Sequence, residues 1–590
     1  IIGQNAIRID AKSKVSGLAT YTADYNQGSV LHGVILRSPV PSAKIVRLDI
    51  TRAANMRGVK AVVTASDMPN VLAGWFVRDT PLFAREQVRY AGEPIAAVAA
   101  ETIEQALAAL SEIELELEQL PAVIDMESAA ANDPESLVHP QWEDYQMSLP
   151  VEWPREGNIA SMLLSEQGDV DEAFKKAEYI VEGVYESGRQ YQGYIEPKAA
   201  VASYVEGKLE VRTGHQYPFN LRDRLAQFLK LSPSNVRIIG QAIGGGFGAK
   251  LDYGVEPYAA ALALQLPGWS VRIVNNRTED MRSCFCRENT IIKIRSALDK
   301  GGNILAREFI VDIDNGAYSG EMIMLPSAAL IVSCGAYRCA ALRVKARLVY
   351  TNTPPTGAFR GVNGVAMYTA IERHMDEVAN KLGLDRREYR LQQLIDNGYK
   401  LPNGQVLPDA GILKEGFTEV EKVASWEGLK SSNKPYEGIG IACAFWVTNS
   451  MPASVTLKLN EDGSITVLLG AMDIGSGSIA AGVVQMVADV LSLPMDKVSV
   501  PPVDTDVAAY DGGCQGSRST RVIGGAAQRA AIKIREQVME SAAELLQADI
   551  KRLSLGDGGI FLDNEVALSL SDVAMANTFG KGPIVATGRY

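Results

Sequence analysis

Cysteine and histidine are scarce in this chain, numbering six and four among 590 residues. So few cysteines cannot build a disulfide framework at this length. Their placement (Cys284 and Cys286, Cys334 and Cys339, Cys443, Cys514) matches no zinc or iron–sulfur run. No two histidines stand four residues apart, which disfavours a metal held by imidazole. A metal here would have to arrive with its own organic ligand. No uncharged apolar stretch reaches the roughly 18 residues that a membrane span needs. The opening Ile1-Ile2-Gly3-Gln4-Asn5 carries no basic segment ahead of an apolar core, so no signal peptide is visible. It carries no Met either, which leaves the true start open. Basic residues form no long run, and a net charge of −12 argues against nucleic acid or an anionic membrane as the main partner. A reducing cytoplasm fits this composition best.

What is present is glycine in one unusual run, Gln241-Ala242-Ile243-Gly244-Gly245-Gly246-Phe247-Gly248-Ala249-Lys250. Glycines reach positive φ and let backbone approach a ligand closely, and successive N–H groups can hold an oxo or anionic group. The run follows the strand-like Val236-Arg237-Ile238-Ile239, the position where open α/β folds place ligands. Two nucleotide motifs are not met. A P-loop needs Gly-Lys-Ser/Thr, whereas Ala249 precedes Lys250 and Leu251 follows it. A dinucleotide fingerprint needs an acid about 20 residues on, and Glu279 and Asp280 lie farther away.

The length predicts more than one core, and patterning divides the chain. Residues 1–130 mix strands and helices without a regular βαβ repeat, which predicts α+β. Within them Leu31–Pro39 reads as a strand and Ile103–Leu115 as a helix. Residues 131–154 form a polar linker, and 155–430 a second unit holding the glycine run. Its last long helix begins after Asn363-Gly364, carries the apolar stripe Ala370, Ile371, Met375, Val378, Ala379 and Leu382, and ends at Gly383. Lys430–Tyr436 reads as a further linker, and the third unit covers 431–590. There Val455, Leu457, Leu459 and Ile465, Val467, Leu469 alternate as half-buried strands, followed by helices over Ala480–Leu491 and Gly524–Leu546.

The glycine run resembles the Gly-Gly-Gly-Phe-Gly-x-Lys loop of the molybdenum-binding subunit in the xanthine dehydrogenase and aldehyde oxidase family. Four further segments fall in the order that the family shows. They are Thr213-Gly214-His215-Gln216, Thr356-Gly357-Ala358-Phe359-Arg360-Gly361, Gly470–Gly477 and Gly512–Ser519. The similarity runs from about Asp10 to the last residue. It implies an α/β hammerhead domain followed by two molybdopterin-binding α+β domains, the second incomplete. In the family that domain continues past the equivalent of Tyr590 into a Gly-rich segment with the catalytic Glu. The resemblance therefore predicts that this Glu arrives on a separate or missing piece, a second molybdopterin-binding chain. The rival base within the chain is Asp511.

The resemblance also assigns roles. Gln216 matches the family's Gln that hydrogen-bonds an oxo ligand of molybdenum, while Gly246, Phe247 and Gly248 turn backbone amides toward metal and pterin. Arg360 matches the Arg that stabilises charge developing on substrate or anchors its carboxylate or carbonyl; the alternative for it is a buried ion pair. Gly475, Ser476 and Gly477 match a Gly-Gln-Gly loop in which Ser replaces Gln. Gln515, Gly516, Ser517, Arg518 and Ser519 precede a helix and offer a cradle for pterin phosphate or oxygens, or else an N-cap cluster. Leu251 stands where purine-oxidising members carry Glu, which lowers xanthine as substrate. His215 reads as a packing residue.

No side chain is expected to ligate the metal directly, since the pterin dithiolene holds it. The implied activity is hydroxylation of an N-heterocycle, purine-like or related, with oxygen derived from water. An aldehyde-oxidising member or a non-catalytic cofactor-binding homologue are the alternatives. The CO-oxidising branch carries a Cys beside the Arg turn, and Thr356–Gly361 has none. The chain holds no iron–sulfur run and no flavin fingerprint, so 2Fe–2S and FAD subunits are the implied partners, in a dimer of heteromers. The implied cofactor is molybdenum pyranopterin, as molybdopterin or its cytosine dinucleotide form.

Overall fold

The computed structural model describes residues 1–590 except 27, 149–152 and 433. Parts of the expected linkers, 149–152 and 433, thus lie outside the described residues. Helices and strands intermix as α+β. A seven-stranded sheet runs in the order Val236–Gly240, Lys208–Thr213, Ala199–Val205, Ser270–Val274, Val30–Arg37, Pro94–Ala100, Val59–Thr64. The last three strands come from the first expected unit and the first four from the second. The boundary near 130 therefore does not separate two sheets. Pro94–Ala100 is buried throughout because it lies inside this sheet, and its small side chains suit strands covered on both faces. The almost wholly buried helix Glu256–Gln265 packs over the same sheet.

A five-stranded sheet orders Ile159–Gln167, Ala341–Tyr350, Ile304–Gly316, Thr290–Leu298 and Tyr179–Ser187. The helix Gly364–Leu382 lies on it with Ala370, Ile371, Met375, Val378 and Ala379 buried, and Gly383 closes it at positive φ. One expectation fails at Ile103–Leu115. The helix stops at Ser111, and Glu114–Gln119 forms a strand paired with Ala43–Asp49. The alternation of Leu115 and Leu117 with glutamates there has the period of a strand, not of a helix.

In the third unit Ser454–Leu459 pairs with Ile465–Leu469 and with Val585–Arg589. The alternating Val455, Leu457, Leu459, Ile465, Val467 and Leu469 are all buried against the long helix Gly524–Leu546. That helix presents Ala526, Ala527, Ala530 and Ala531, so the last strand approaches its backbone closely. A Cβ on Gly588 would stand 2.0 Å from the Ala526 carbonyl oxygen. Gly588→Ala should cost about 1–3 kcal/mol through overpacking. A thermal melt checks this, and an unchanged Tm would show that the strand is not seated on the helix.

Candidate functional site

Lys208–Thr213 and Val236–Gly240 are parallel neighbours with Thr213 beside Gly240, so the loops that follow them leave the same end of the sheet. One is His215-Gln216-Tyr217, and the other is the glycine run. The edge strand Val236–Gly240 is covered by the third unit. Gly240 N–H donates to the Val503 carbonyl (2.7 Å), Thr505 N–H to that of Ile238, and Arg237 holds Asp504 through two nitrogens. This docking carries the loop Asp511–Ser519 against Gln216.

Gln216 is 2 % exposed and links the two loops. Its Oε1 accepts from the Gly248 N–H (2.9 Å), while its Nε2 donates to the Cys514 carbonyl (2.9 Å). Its backbone joins in, with N–H to the Lys250 carbonyl (2.7 Å) and carbonyl from Cys514 N–H (2.8 Å). One Nε2 hydrogen is left over for a further acceptor.

Gly248 has φ +107, and a Cβ there would meet the Ala358 oxygen at 2.5 Å; on Gly246 it would meet Gln216 Oε1 at 2.5 Å. Phe247 also takes positive φ and is 43 % exposed, and its carbonyl accepts from Arg360 N–H (2.8 Å). The Arg360 turn therefore hangs on the glycine run. Among the described residues the Arg360 guanidinium is exposed and makes no hydrogen bond or ion pair. The buried-ion-pair reading of Arg360 does not hold. Arg287 supports the turn from behind. Its guanidinium lies 4.4 Å from the Phe359 ring centroid and donates to the Phe359 and Arg360 carbonyls. Its Nε and Nη1, the Glu288 Oε2 and the Asn363 amide are buried there without protein partners.

Glu196 is the carboxylate that sequence reasoning missed. Its Oε2 accepts both from Gly244 N–H (2.7 Å) and from Lys250 Nζ (2.6 Å), closing the two ends of the glycine run. Burial pushes the Lys250 ammonium below its usual range, and the Glu196 charge opposes that. No local signal joins Glu196 to Lys250, but a lysine inside an apolar-flanked loop implies some carboxylate partner.

The third unit contributes two loops, each entering a helix through a π-helical turn, Ser478–Val483 and Ser519–Ile523. Such turns concentrate at functional sites. Gly475 and Ser476 are exposed, and Gly475 (φ +100) faces open space. Asp473 caps this loop, accepting from the N–H groups of Gly475, Gly477, Ile479 and Ala480. In the other loop Gln515, Gly516 and Ser517 form the rim, and Ser519 is buried with its Oγ 2.8 Å from the Cys514 thiol.

Arg518 turns inward, which corrects its expected place in an anion cradle. Its guanidinium and the Asp511 carboxylate are both 0 % exposed and 2.7 Å apart, and it also donates to the Gly513, Met451 and Pro452 carbonyls. Asp511 is thereby corrected as well. Burial pushes its carboxyl up and Arg518 opposes this; the carboxylate is 0 % exposed and bonded to Arg518 and the Gly513 N–H. Leu251 is buried in the core rather than lining an opening. His215 packs as expected, neutral, since burial lowers it to about 3. All six cysteines are buried and free. Among the described residues no His, Cys, Asp or Glu group could hold a metal ion. None of their helices is long and apolar enough to cross a membrane.

The sequence matches the molybdopterin cofactor-binding domain twice, over residues 154–394 and 418–590, and the aldehyde oxidase and xanthine dehydrogenase a/b hammerhead domain over 16–121. The nicotinate dehydrogenase large molybdopterin subunit of Eubacterium barkeri is 33 % identical, the match covering 72 % of this chain and 96 % of that one. The xanthine dehydrogenase molybdenum-binding subunit of Escherichia coli O157:H7 is 29 % identical over 96 % of this chain and 77 % of its own length. The crystal structure of quinoline 2-oxidoreductase from Pseudomonas putida 86 superposes with a TM-score of 0.86 at 26 % identity, covering 100 % of this chain and 78 % of that one. The chain thus belongs to the xanthine dehydrogenase and aldehyde oxidase family of molybdenum hydroxylases, as a molybdopterin-binding oxidoreductase subunit.

The residues present suit the pyranopterin group of that family. Glycines stand where a Cβ would collide, two loops turn backbone and hydroxyls outward, and Gln216 retains one free donor.

Two outcomes follow from this geometry. Arg518→Met should destabilise the fold by about 3–5 kcal/mol, because it strands the Asp511 charge. Denaturant unfolding reads this, and a wild-type midpoint would mean that the pair is dispensable. Gly248→Ala forces positive φ on a side chain with no room, so cofactor content measured by molybdenum analysis should fall sharply; full content would contradict the close contact with Ala358.

Proposed function

We propose that this subunit hydroxylates an N-heterocyclic substrate, with oxygen from water, and passes two electrons to iron–sulfur and FAD partner subunits. The observation that carries the reading is the exposed, unpaired Arg360 guanidinium on a turn bonded to the glycine run. Names among the relatives support the substrate class, since nicotinate, nicotine and quinoline all contain a ring nitrogen.

The bound molybdenum pyranopterin supplies the oxygen-transfer and two-electron chemistry. This chain's own residues bind and orient. The remaining Nε2 hydrogen of Gln216 and the Gly246 and Phe247 amides would face the group, the Gly248 amide being spent on Gln216 itself, and the Gly475–Gly477 and Gln515–Ser517 rims would hold the pterin side. Arg360, kept in place by Arg287 below and Phe247 beside it, meets negative charge as it develops on the ring. Its planar fork suits a ring oxygen or carboxylate.

Arg360→Ala should lower kcat/KM about a hundred- to a thousandfold while molybdenum content stays near wild type. Steady-state kinetics on N-heterocycles and aldehydes, with an artificial electron acceptor, tests both parts. A loss of only a few fold would remove Arg360 from the reaction, and turnover confined to aldehydes would overturn the substrate class.

A further inference from the structure

The N-terminal segment, up to and including the first residues of the hammerhead match, lies against the cofactor-binding parts of the chain. Arg8 Nη1 donates to the Gly475 carbonyl (2.9 Å), and its Nη2 reaches Asp473 Oδ1 (3.3 Å). Ile9 N–H donates to the Ala480 carbonyl (3.0 Å), inside the π-helical turn that follows. Twelve residues on, the same segment meets the glycine run: Tyr21 bridges Ala242, whose N–H donates to the Thr20 carbonyl (3.3 Å). One arm therefore touches the base of the Gly-rich loop and the back of the Gly475–Gly477 loop. These two loops come from sequence positions more than two hundred residues apart, on different domains.

Asp473 takes four backbone N–H groups of its loop, and Arg8 is the cation that balances it. Arg8 is itself held by Asp10, which also pairs with Lys14 (2.8 Å). Burial alone raises the Asp10 carboxyl, but hydrogen bonds from Arg8 and Lys14 more than offset this and hold it at about 2. The guanidinium is thus fixed from one side by Asp10 and grips the loop with the other. The outward face of Gly475 stays open.

We propose that Arg8 is a positioning residue and the N-terminal arm a latch, which fixes the Gly475–Gly477 loop in its cofactor-holding shape and so slows cofactor release. The proposal rests on the reading that this loop holds the pterin. Arg8 does not touch the reacting atoms, so its effect belongs to retention.

The test uses the purified complex and follows pterin and molybdenum released during dilution, together with the Tm of the cofactor-free chain. Arg8→Ala should release cofactor about tenfold faster, the worth of one charge-assisted contact, with the cofactor-free Tm little changed. Arg8→Lys keeps the charge without the two-donor reach and should fall between; it serves also if the alanine variant does not fold. Lys14→Ala removes a partner of Asp10 that does not touch the loop, and it should speed release less than Arg8→Ala does. Release by Arg8→Ala and Arg8→Lys at the wild-type rate overturns the latch. So does equal acceleration by Lys14→Ala, which would make the effect one of general arm packing. A wild-type complex without molybdenum or pterin overturns both the latch and the functional reading beneath it.

Discussion

The two-ended hydrogen bonding of the Gln216 carboxamide is the constraint on which the site depends. One end accepts from the glycine run and the other donates to the Cys514 carbonyl of the third unit. Both partners are backbone, so the side chain fixes the spacing of the two loop backbones. In a buried place each of these bonds matters more than its net worth suggests, because losing one leaves a desolvated amide without a partner. The missing Cβ atoms of Gly246 and Gly248 are the steric side of the same arrangement.

Everything else brings the loops to within reach of that side chain. Parallel pairing sends the Gln216 and glycine loops out of one sheet end, and the third unit seals the exposed edge strand there. The Arg518–Asp511 pair then stiffens the Cys514 loop from inside, and Glu196 with Lys250 closes the glycine run from outside. Charge is thus used twice to hold backbone. At the turn the Arg360 guanidinium is exposed and, among the described residues, unpaired.

Much of this is legible in the sequence, for identifiable reasons. Glycine runs and the Phe359-Arg360-Gly361 turn are local, and periodicity reveals the helix Gly364–Leu382 and the paired strands Ser454–Leu459 and Ile465–Leu469. Partners that meet only in three dimensions were not legible. Nothing near Arg518 announces that it faces inward, since a basic residue ahead of a helix reads equally as an anion ligand. Glu196, Arg287 and Arg8 act on segments from about fifty to several hundred residues away. The sheet shared by the first two units escaped as well, because strand pairing between distant segments leaves no mark on either one. The helix expected to reach Leu115 ends at Ser111 because the period of the apolar residues changes there from that of a helix to that of a strand.

Gln216→Glu tests the central claim most directly. Glutamate keeps an acceptor for the Gly248 N–H but sets a second acceptor against the Cys514 carbonyl, at almost unchanged volume. The purified variant should lose cofactor about tenfold or more faster than wild type, the result of turning one buried hydrogen bond into a repulsion. Molybdenum content and turnover equal to wild type would contradict the account, because the two loops would then hold their places without the Gln216 bridge.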